Sequence, residues 1–206
     1  MSWYATTVFP RMMEWALGTE VCSRERRRTL AAARGDVLEI GFGTGLNLPH
    51  YPSTGVTSLT IVDPAELLPE RVQERIARAP FPVTHARLTA ERLPFDDARF
   101  DSVISTWTLC SIPDPVAALR EIKRVLRPEG TFHFLEHGLS ARPFVATLQH
   151  LWNPVQKVIA CGCNVNRPMD EIVPASGLTV TSLERFQLEG ELSIFGAMYR
   201  GTATAR

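Results

Sequence analysis

Val37-Leu38-Glu39-Ile40-Gly41-Phe42-Gly43-Thr44-Gly45 is the stretch that decides the fold. Val37 to Ile40 read as a buried strand, and three glycines follow at alternate positions. Glycine tolerates positive φ and lets another group lie close against the backbone. A strand that turns over such a loop into a helix N-terminus is built to receive a small ligand. The dinucleotide fingerprint asks for glycine at the first, third and sixth places, but the sixth here is Leu46. The spacing is G-x-G-x-G instead, with acidic Glu39 two residues ahead of the first glycine. The missing glycine argues against a nicotinamide-dependent oxidoreductase.

The next strand carries a second acid. Ser58 to Val62 read as buried, and Asp63 ends the run 22 residues after Gly41. In such units an acid about 20 residues on from the loop grips a ribose diol. Asp63 stands before Pro64, so it has a second reading as the cap of a following helix. The glycine loop beside it favours ribose.

Beyond this pair the pattern alternates. Residues 65 to 79 are expected to form a charged amphipathic helix, then a strand near Val83 to Arg87, a turn at Leu93 to Asp97, and a strand over Phe100 to Thr106. A helix from Pro115 to Leu126 stops at Arg127-Pro128-Glu129-Gly130, and a strand over Thr131 to Glu136 follows. Pro49 and Pro52 keep the helix after the glycine loop short. Strands alternating with helices imply an α/β fold, a mostly parallel sheet covered on both faces. Past residue 139, a helix over 143 to 160 breaks before Pro154, and Leu178 to Phe186 and Ile194 to Thr204 read as closing strands.

Residues 1 to 34 form a helical preface. Pro10 suits a first turn, Gly18 ends one helix, and Thr19 caps the next, which carries Arg24, Arg26, Arg27 and Arg28. The preface packs on the sheet edge or forms a lid over the cofactor, with Tyr4, Met12 or Trp15 lining a substrate pocket. The arginine run reads as a solvated helix face, or as a basic surface for an anionic membrane. The whole chain is expected to be one domain: lid 1–34, cofactor core 35–138, and acceptor-side helices and strands 139–206.

Composition sets the outer bounds. The 206 residues are 45% hydrophobic and 21% charged, within the range of a globular domain. Basic and acidic residues balance at 22 each, so no bulk field calls for nucleic acid. No apolar run reaches the ~18 residues of a membrane-spanning helix, and the start lacks a signal-peptide pattern. Four cysteines do not make a disulfide framework. A monomer in the cytoplasm is the expectation, with peripheral membrane contact left open.

The glycine loop, Glu39 and Asp63, joined to Leu93-Pro94-Phe95, Phe100-Asp101-Ser102-Val103 and Glu121 to Gly130, resemble class I S-adenosylmethionine-dependent methyltransferases of the ubiquinone/menaquinone type. Three further strings narrow the resemblance: Thr108-Leu109-Cys110-Ser111-Ile112, Phe134-Leu135-Glu136-His137, and Gly162-Cys163-Asn164 after Trp152-Asn153-Pro154. These are similar to the thiol methyltransferases and their soluble bacterial relatives, and partly to phosphatidylethanolamine N-methyltransferases. The resemblance implies a Rossmann-like, doubly wound sheet of seven strands with an antiparallel last strand. It implies S-adenosylmethionine as cofactor and a small-molecule acceptor, a thiol first and a phospholipid amine as alternative. Glu39, Gly41, Phe42, Gly43, Thr44, Gly45, Asn47, Asp63, Pro64, Ala90, Glu91, Thr106 and Trp107 are the implied cofactor contacts. Ala90 and Glu91 would flank the adenine, and Thr89 stands where the family often has an acid.

A thiol acceptor reacts as its thiolate, so a base or positive field near it should help. His137 follows the fifth strand on the carboxyl-end face, and histidine titrates near neutrality, which makes it the candidate base unless it only hydrogen-bonds a loop carbonyl; Glu136 would orient it or close the cofactor site. Cys110 and Cys163 either line the acceptor pocket or pack as small apolar residues. Trp107 and Trp152 are an aromatic wall or core. Cys161-Gly162-Cys163 has the wrong spacing for a zinc knuckle, so no metal is expected.

Overall fold

A computed structural model describes residues 3–64 and 70–206. A π-helical turn (Tyr4–Val8) runs into α1 (Phe9–Leu17), then α2 (Glu20–Leu30). Next come β1 (Gly35–Ile40), β2 (Val56–Val62), α3 (Glu70–Ala77), β3 (Val83–Ala86), β4 (Phe100–Thr106) and α4 (Pro115–Val125). The chain ends with β5 (Leu126–His137), α5 (Pro143–Ile159), α6 (Met169–Ala175), β6 (Thr179–Gln187) and β7 (Ala197–Thr204). The seven strands form one sheet in the order β3-β2-β1-β4-β5-β7-β6. Every pairing is parallel except those of β7, which runs antiparallel to β5 and β6. The expected fold class is the one observed.

The order reverses between β1 and β4, because β1 leads to β2 on one side and β4 lies on the other. Loops leaving these two carboxyl ends diverge and open a crevice, the usual ligand position in a doubly wound sheet. The central strands are buried on both faces: Val37, Leu38, Ile40, Val103, Ile104, Phe132 and Phe134 have essentially no exposure. That explains their continuous apolar runs.

Caps set the helix starts. Thr19 accepts from Cys22 N at 3.3 Å, and Asp114 accepts from Ala117 N at 2.9 Å with Pro115 opening α4. On α2, Cys22, Glu25, Arg26, Thr29 and Leu30 are the buried face. The arginine run is therefore not wholly solvated: Arg24, Arg27 and Arg28 pair with glutamates, while Arg26 turns inward at 3% exposure.

Two expectations need correction, and one element is new. The helix over 143 to 160 does not break; α5 is continuous with Pro154 inside it. The stop at Arg127 to Gly130 is instead a bulge within β5, where the partner of Phe100 is Leu126 and that of Ser102 is Thr131. Pro128 lacks an N–H, and a bulge is where a strand can spare one. Met169–Ala175, unassigned in the sequence, forms α6. Of the helix expected over 65 to 79, only Glu70–Ala77 is described as such; 65–69 lie outside the described residues. Among the described residues no helix is long and apolar enough to cross a membrane.

Candidate active site

The crevice at the strand ends is a cavity of about 820 Å³. That suits a nucleoside-sized ligand with room for a second small molecule. Its walls include Gly41 to Thr44, Asp63 and Pro64, Thr89 to Glu91, Thr106 to Thr108, His137 and Cys163. Most of the sequence-derived cofactor set thus converges on one space.

The glycine loop takes its shape from positive φ at Gly41 (+74°), Gly43 (+55°) and Gly45 (+75°). A Cβ on Gly41 would sit 2.1 Å from Thr108 Oγ1, so only glycine lets the β1 and β4 loops touch there. A Cβ on Gly43 would meet nothing within 4 Å, which leaves the loop's ligand-facing side open. Asp63 Oδ2 accepts the Gly43 N–H at 2.9 Å and ties the end of β2 to the loop.

Glu39 is placed differently from expectation. It is 1% exposed and lies behind the wall, not in it. Its carboxylate accepts from Asn47 Nδ2 at 2.9 Å and from Tyr51 Oη at 2.6 Å. Burial raises its pKa from 4.5 to about 7, against the pull of those two hydrogen bonds. Asn47 also donates to Thr106 Oγ1 at 2.9 Å, so it clamps the ends of β1 and β4 and stands between Glu39 and the cavity. Gly45 likewise packs behind the wall, against the Phe42 ring.

Sequence reasoning missed Arg26. Its guanidinium lies 4.5 Å over the Trp107 ring and donates to Leu17 O at 2.7 Å, while its Nε has no partner. Among the described residues no carboxylate pairs with it, and burial lowers its pKa from 12.5 to about 10. A buried, unpaired cation on a cavity wall is costly unless an anion arrives. Trp107 is held at φ +50°, a conformation worth about 1–3 kcal/mol of strain, and its buried Nε1 is also unpartnered. The signal available in the sequence was the α2 periodicity, which puts Arg26 on the face of Cys22 and Leu30.

At the other end His137 and Cys163 share a corner. His137 Nδ1 lies 3.7 Å from Cys163 Sγ, and Cys163 Sγ lies 3.5 Å from Cys110 Sγ. Cys110 keeps its proton, pushed well up by Cys163 and by burial. Cys163 is drawn down to about 4 by the Cys110 thiol, with burial opposing and His137 assisting. Burial works against a charged His137, but the hydrogen bond and charge of Cys163 outweigh it, and its pKa rises. Glu136 does not orient His137. Its buried carboxylate accepts from Ser105 Oγ, Thr108 N and Cys110 N at 2.7, 3.1 and 3.3 Å, and so folds the loop after β4. Cys110 is 1% exposed and lies behind the wall.

The preface forms part of the wall of this space. Met12, Met13, Trp15 and Ala16 line the cavity, and Glu14 pairs with Arg75, which also donates to Thr44 O at 2.5 Å. These bonds tie α1 to the glycine loop. Tyr4 does not line the pocket; its hydroxyl donates to Ile159 O at 2.6 Å and joins the preface to the end of α5. Trp152 is not in the wall either; its ring packs edge-on against Phe195, which takes the wall position itself.

Strand order, switch-point cavity and glycine loop define a Rossmann-like fold of the methyltransferase kind. Comparison with known proteins agrees. Residues 38–134 match a family described as "Methyltransferase domain". Human thiol S-methyltransferase TMT1B is 31% identical over 160 residues, 72% of this chain and 62% of that protein. The phosphatidylethanolamine N-methyltransferase of Cereibacter sphaeroides is 33% identical over 123 residues, 57% of this chain and 60% of that protein. A Thermotoga maritima structure described as a "SAM-dependent methyltransferase, possible histamine N-methyltransferase" superposes with TM-score 0.64 at 20% identity, covering 98% of this chain and 99% of that one. Over residues 38–134 the chain matches this methyltransferase family, and its fold is that of the class I S-adenosylmethionine-dependent methyltransferases, whose cofactor is S-adenosylmethionine. It spans less than two thirds of the length of these curated relatives. The residues present fit that cofactor: Arg26 is an orphaned cation for a carboxylate, and the Gly43 side of the loop is open.

Proposed function

We propose that the protein methylates a small thiol with S-adenosylmethionine. One observation carries this reading: a single cavity runs from the glycine loop and Asp63 to a thiol-and-imidazole corner at Cys163 and His137. When bound, the cofactor supplies an electrophilic methyl on a sulfonium. Asp63 binds the ribose, Ala90 and Glu91 flank the base, and Arg26 receives the methionine carboxylate. Glu39 braces the loop from behind through Asn47, which faces the cavity, and adds a carboxylate field one layer from the cation. Trp107 divides the cofactor end from the acceptor end. Met12, Met13, Phe195 and Ile159 exclude water from the acceptor and favour an apolar body around its sulfur. His137 and Cys163 are the polar groups that meet the sulfur. Relatives named thiol S-methyltransferases support this acceptor class. All four cysteines are free, in keeping with a reducing cytoplasm, which cell fractionation would check.

Incubation with labelled cofactor and a panel of thiols, amines and phenols tests the reading. Label is expected in thiols; label confined to amines or phenols ends it. A second reading, an amine on a lipid headgroup, is favoured by one feature. Phe144, Leu151, Val155 and Val158 form an exposed apolar stripe along α5, and Trp15 stands 82% exposed on α1, whose inner residues line the cavity. Co-sedimentation with anionic and neutral vesicles separates the two, because a lipid-modifying protein must bind the bilayer.

A further inference from the structure

Cys110, His137 and Cys163 come from three distant segments: the loop after β4, the end of β5 and the loop after α5. One ligand atom from each, the two Sγ atoms and a ring nitrogen of His137, lies within 4.8 Å of the others, and His137 Nδ1 is 3.7 Å from Cys163 Sγ. Zinc bonds of ~2.3 Å to sulfur and ~2.0–2.1 Å to nitrogen, at tetrahedral angles, give edges of about 3.8 Å between sulfurs and about 3.5 Å between sulfur and nitrogen. The observed edges at Cys163 are 3.5 Å to Cys110 and 3.7 Å to His137. The sulfurs are far beyond the ~2.05 Å of a disulfide. Two of the three edges thus match those of tetrahedral ligands, and the third lies within 4.8 Å.

The support around these atoms is rigid. Glu136 holds the Cys110 and Thr108 backbone N–H groups. Asn164 donates to Cys110 O through both its backbone N (2.8 Å) and its Nδ2 (2.9 Å), locking the two cysteine-bearing loops together. Asn153 in turn holds Asn164 and Val165. Conserving ligand orientation through such partners is what keeps a metal site preformed. His137 and Cys163 line the cavity, whereas Cys110 lies behind them. Any ion held by the three therefore has its remaining side toward the acceptor space.

The geometry points to a zinc site made by Cys110, His137 and Cys163, with its fourth position open to the cavity for the acceptor's sulfur. This rests on the thiol reading above and names how that sulfur is activated. Three protein ligands with an open position are the pattern of catalytic zinc, and two thiolates with an imidazole suit a borderline-soft ion. Metal binding would release the proton that Cys110 otherwise keeps, and the two thiolates then neutralise the ion's charge, so a third thiolate bound there stays electron-rich. On binding, the acceptor R–SH gives its proton to solvent and joins the metal as R–S⁻. A lone pair of that sulfur forms the new S–CH3 bond as the methyl's bond to the sulfonium breaks, leaving R–S–CH3, neutral S-adenosylhomocysteine and one proton. Here His137 acts as a ligand through Nδ1, so no free base is required.

Elemental analysis of protein purified with a reducing agent and without chelators or metal resins tests the site. About one zinc per chain is expected, lost at least about tenfold in Cys163→Ser, Cys110→Ser and His137→Gln and retained in Cys161→Ser. Circular dichroism confirms that each variant is folded, and thermal melts of the metal-stripped native chain with and without Zn2+ give a readout independent of the variants. Cobalt substitution should add thiolate-to-metal absorption that changes when an acceptor thiol is titrated in. Zinc retained in both serine variants, or a native chain that neither holds nor is stabilised by Zn2+, overturns the site even if thiols are methylated. A cobalt spectrum indifferent to thiols, in a protein that methylates only amines or phenols, overturns both the open position and the thiol reading.

Discussion

The cofactor end of the cavity is assembled mainly from residues 39 to 64, three consecutive elements of chain. The acceptor end draws on α1, the loops after β4 and β5, the end of α5 and the β6–β7 connection. The first is a local device whose shape follows from backbone angles at three glycines. The second exists only after five segments far apart in sequence have met. Local devices can be read as motifs; assembled ones cannot. The comparison also separates the kinds of damage expected, since the first end should fail through geometry and the second through chemistry.

Gly41→Val should be the most damaging change. It combines a Cβ 2.1 Å from Thr108 Oγ1 with φ +74°, and costs of ~1–3 kcal/mol for each fault predict a loss of about 2–6 kcal/mol in stability, read by chemical denaturation. A wild-type melting curve would show that the loop is not the rigid half.

Arg26→Leu and Asp63→Ala should each weaken S-adenosylhomocysteine binding by about 1–3 kcal/mol, measured by calorimetry, the scale of a lost charge-assisted hydrogen bond. The two differ in a second respect. Removing an unpaired buried cation should leave the free protein as stable or more so, whereas Asp63→Ala also frees the Gly43 N–H. An Arg26→Leu variant that binds cofactor normally would remove Arg26 from the methionine end.

Glu39 provides a pH effect of intermediate size. Its folded-state pKa of about 7 lies above the ordinary 4.5 because the carboxylate is buried. The unfolded chain therefore releases this proton first, and Glu39 lowers the stability of the free protein progressively as pH rises from about 4.5 to about 7, with no further change above. Denaturation of Glu39→Gln against the native chain across that window should show the two curves diverging by at most one proton's worth of slope. Parallel curves would mean that the carboxylate is not desolvated. The smallest effect is expected on α1: Trp15→Ser, at an 82% exposed position, should change stability by no more than ~0.5 kcal/mol while raising KM for apolar acceptors several-fold in steady-state assays.

How much was legible follows the same division. The β1 strand, the glycine spacing, Asp63 and the extent of β4 could be read because alternation, apolar runs and glycine positions act within a dozen residues, whereas the count of seven strands came with the family resemblance. The β5 bulge and the unbroken α5 could not, since Pro128 and Pro154 are tolerated there by neighbours that the local sequence does not announce. Glu39 and Glu136 looked like ligand and catalytic acids and prove to be braces, because a carboxylate's role depends on which N–H and O–H groups the fold turns toward it.

Sequence by itself determined the parallel sheet, the ligand-receiving turn and the acid at the tip of β2, all consequences of short-range backbone preference and periodicity. Tertiary structure alone decided that Arg26 faces inward beside Trp107, and that Cys163 meets Cys110 and His137 rather than Cys161. The physical reason is that contacts between residues 26 and 107, or 110 and 163, are set by how helices and loops pack on the sheet, a balance of many weak burial energies that no single spacing encodes.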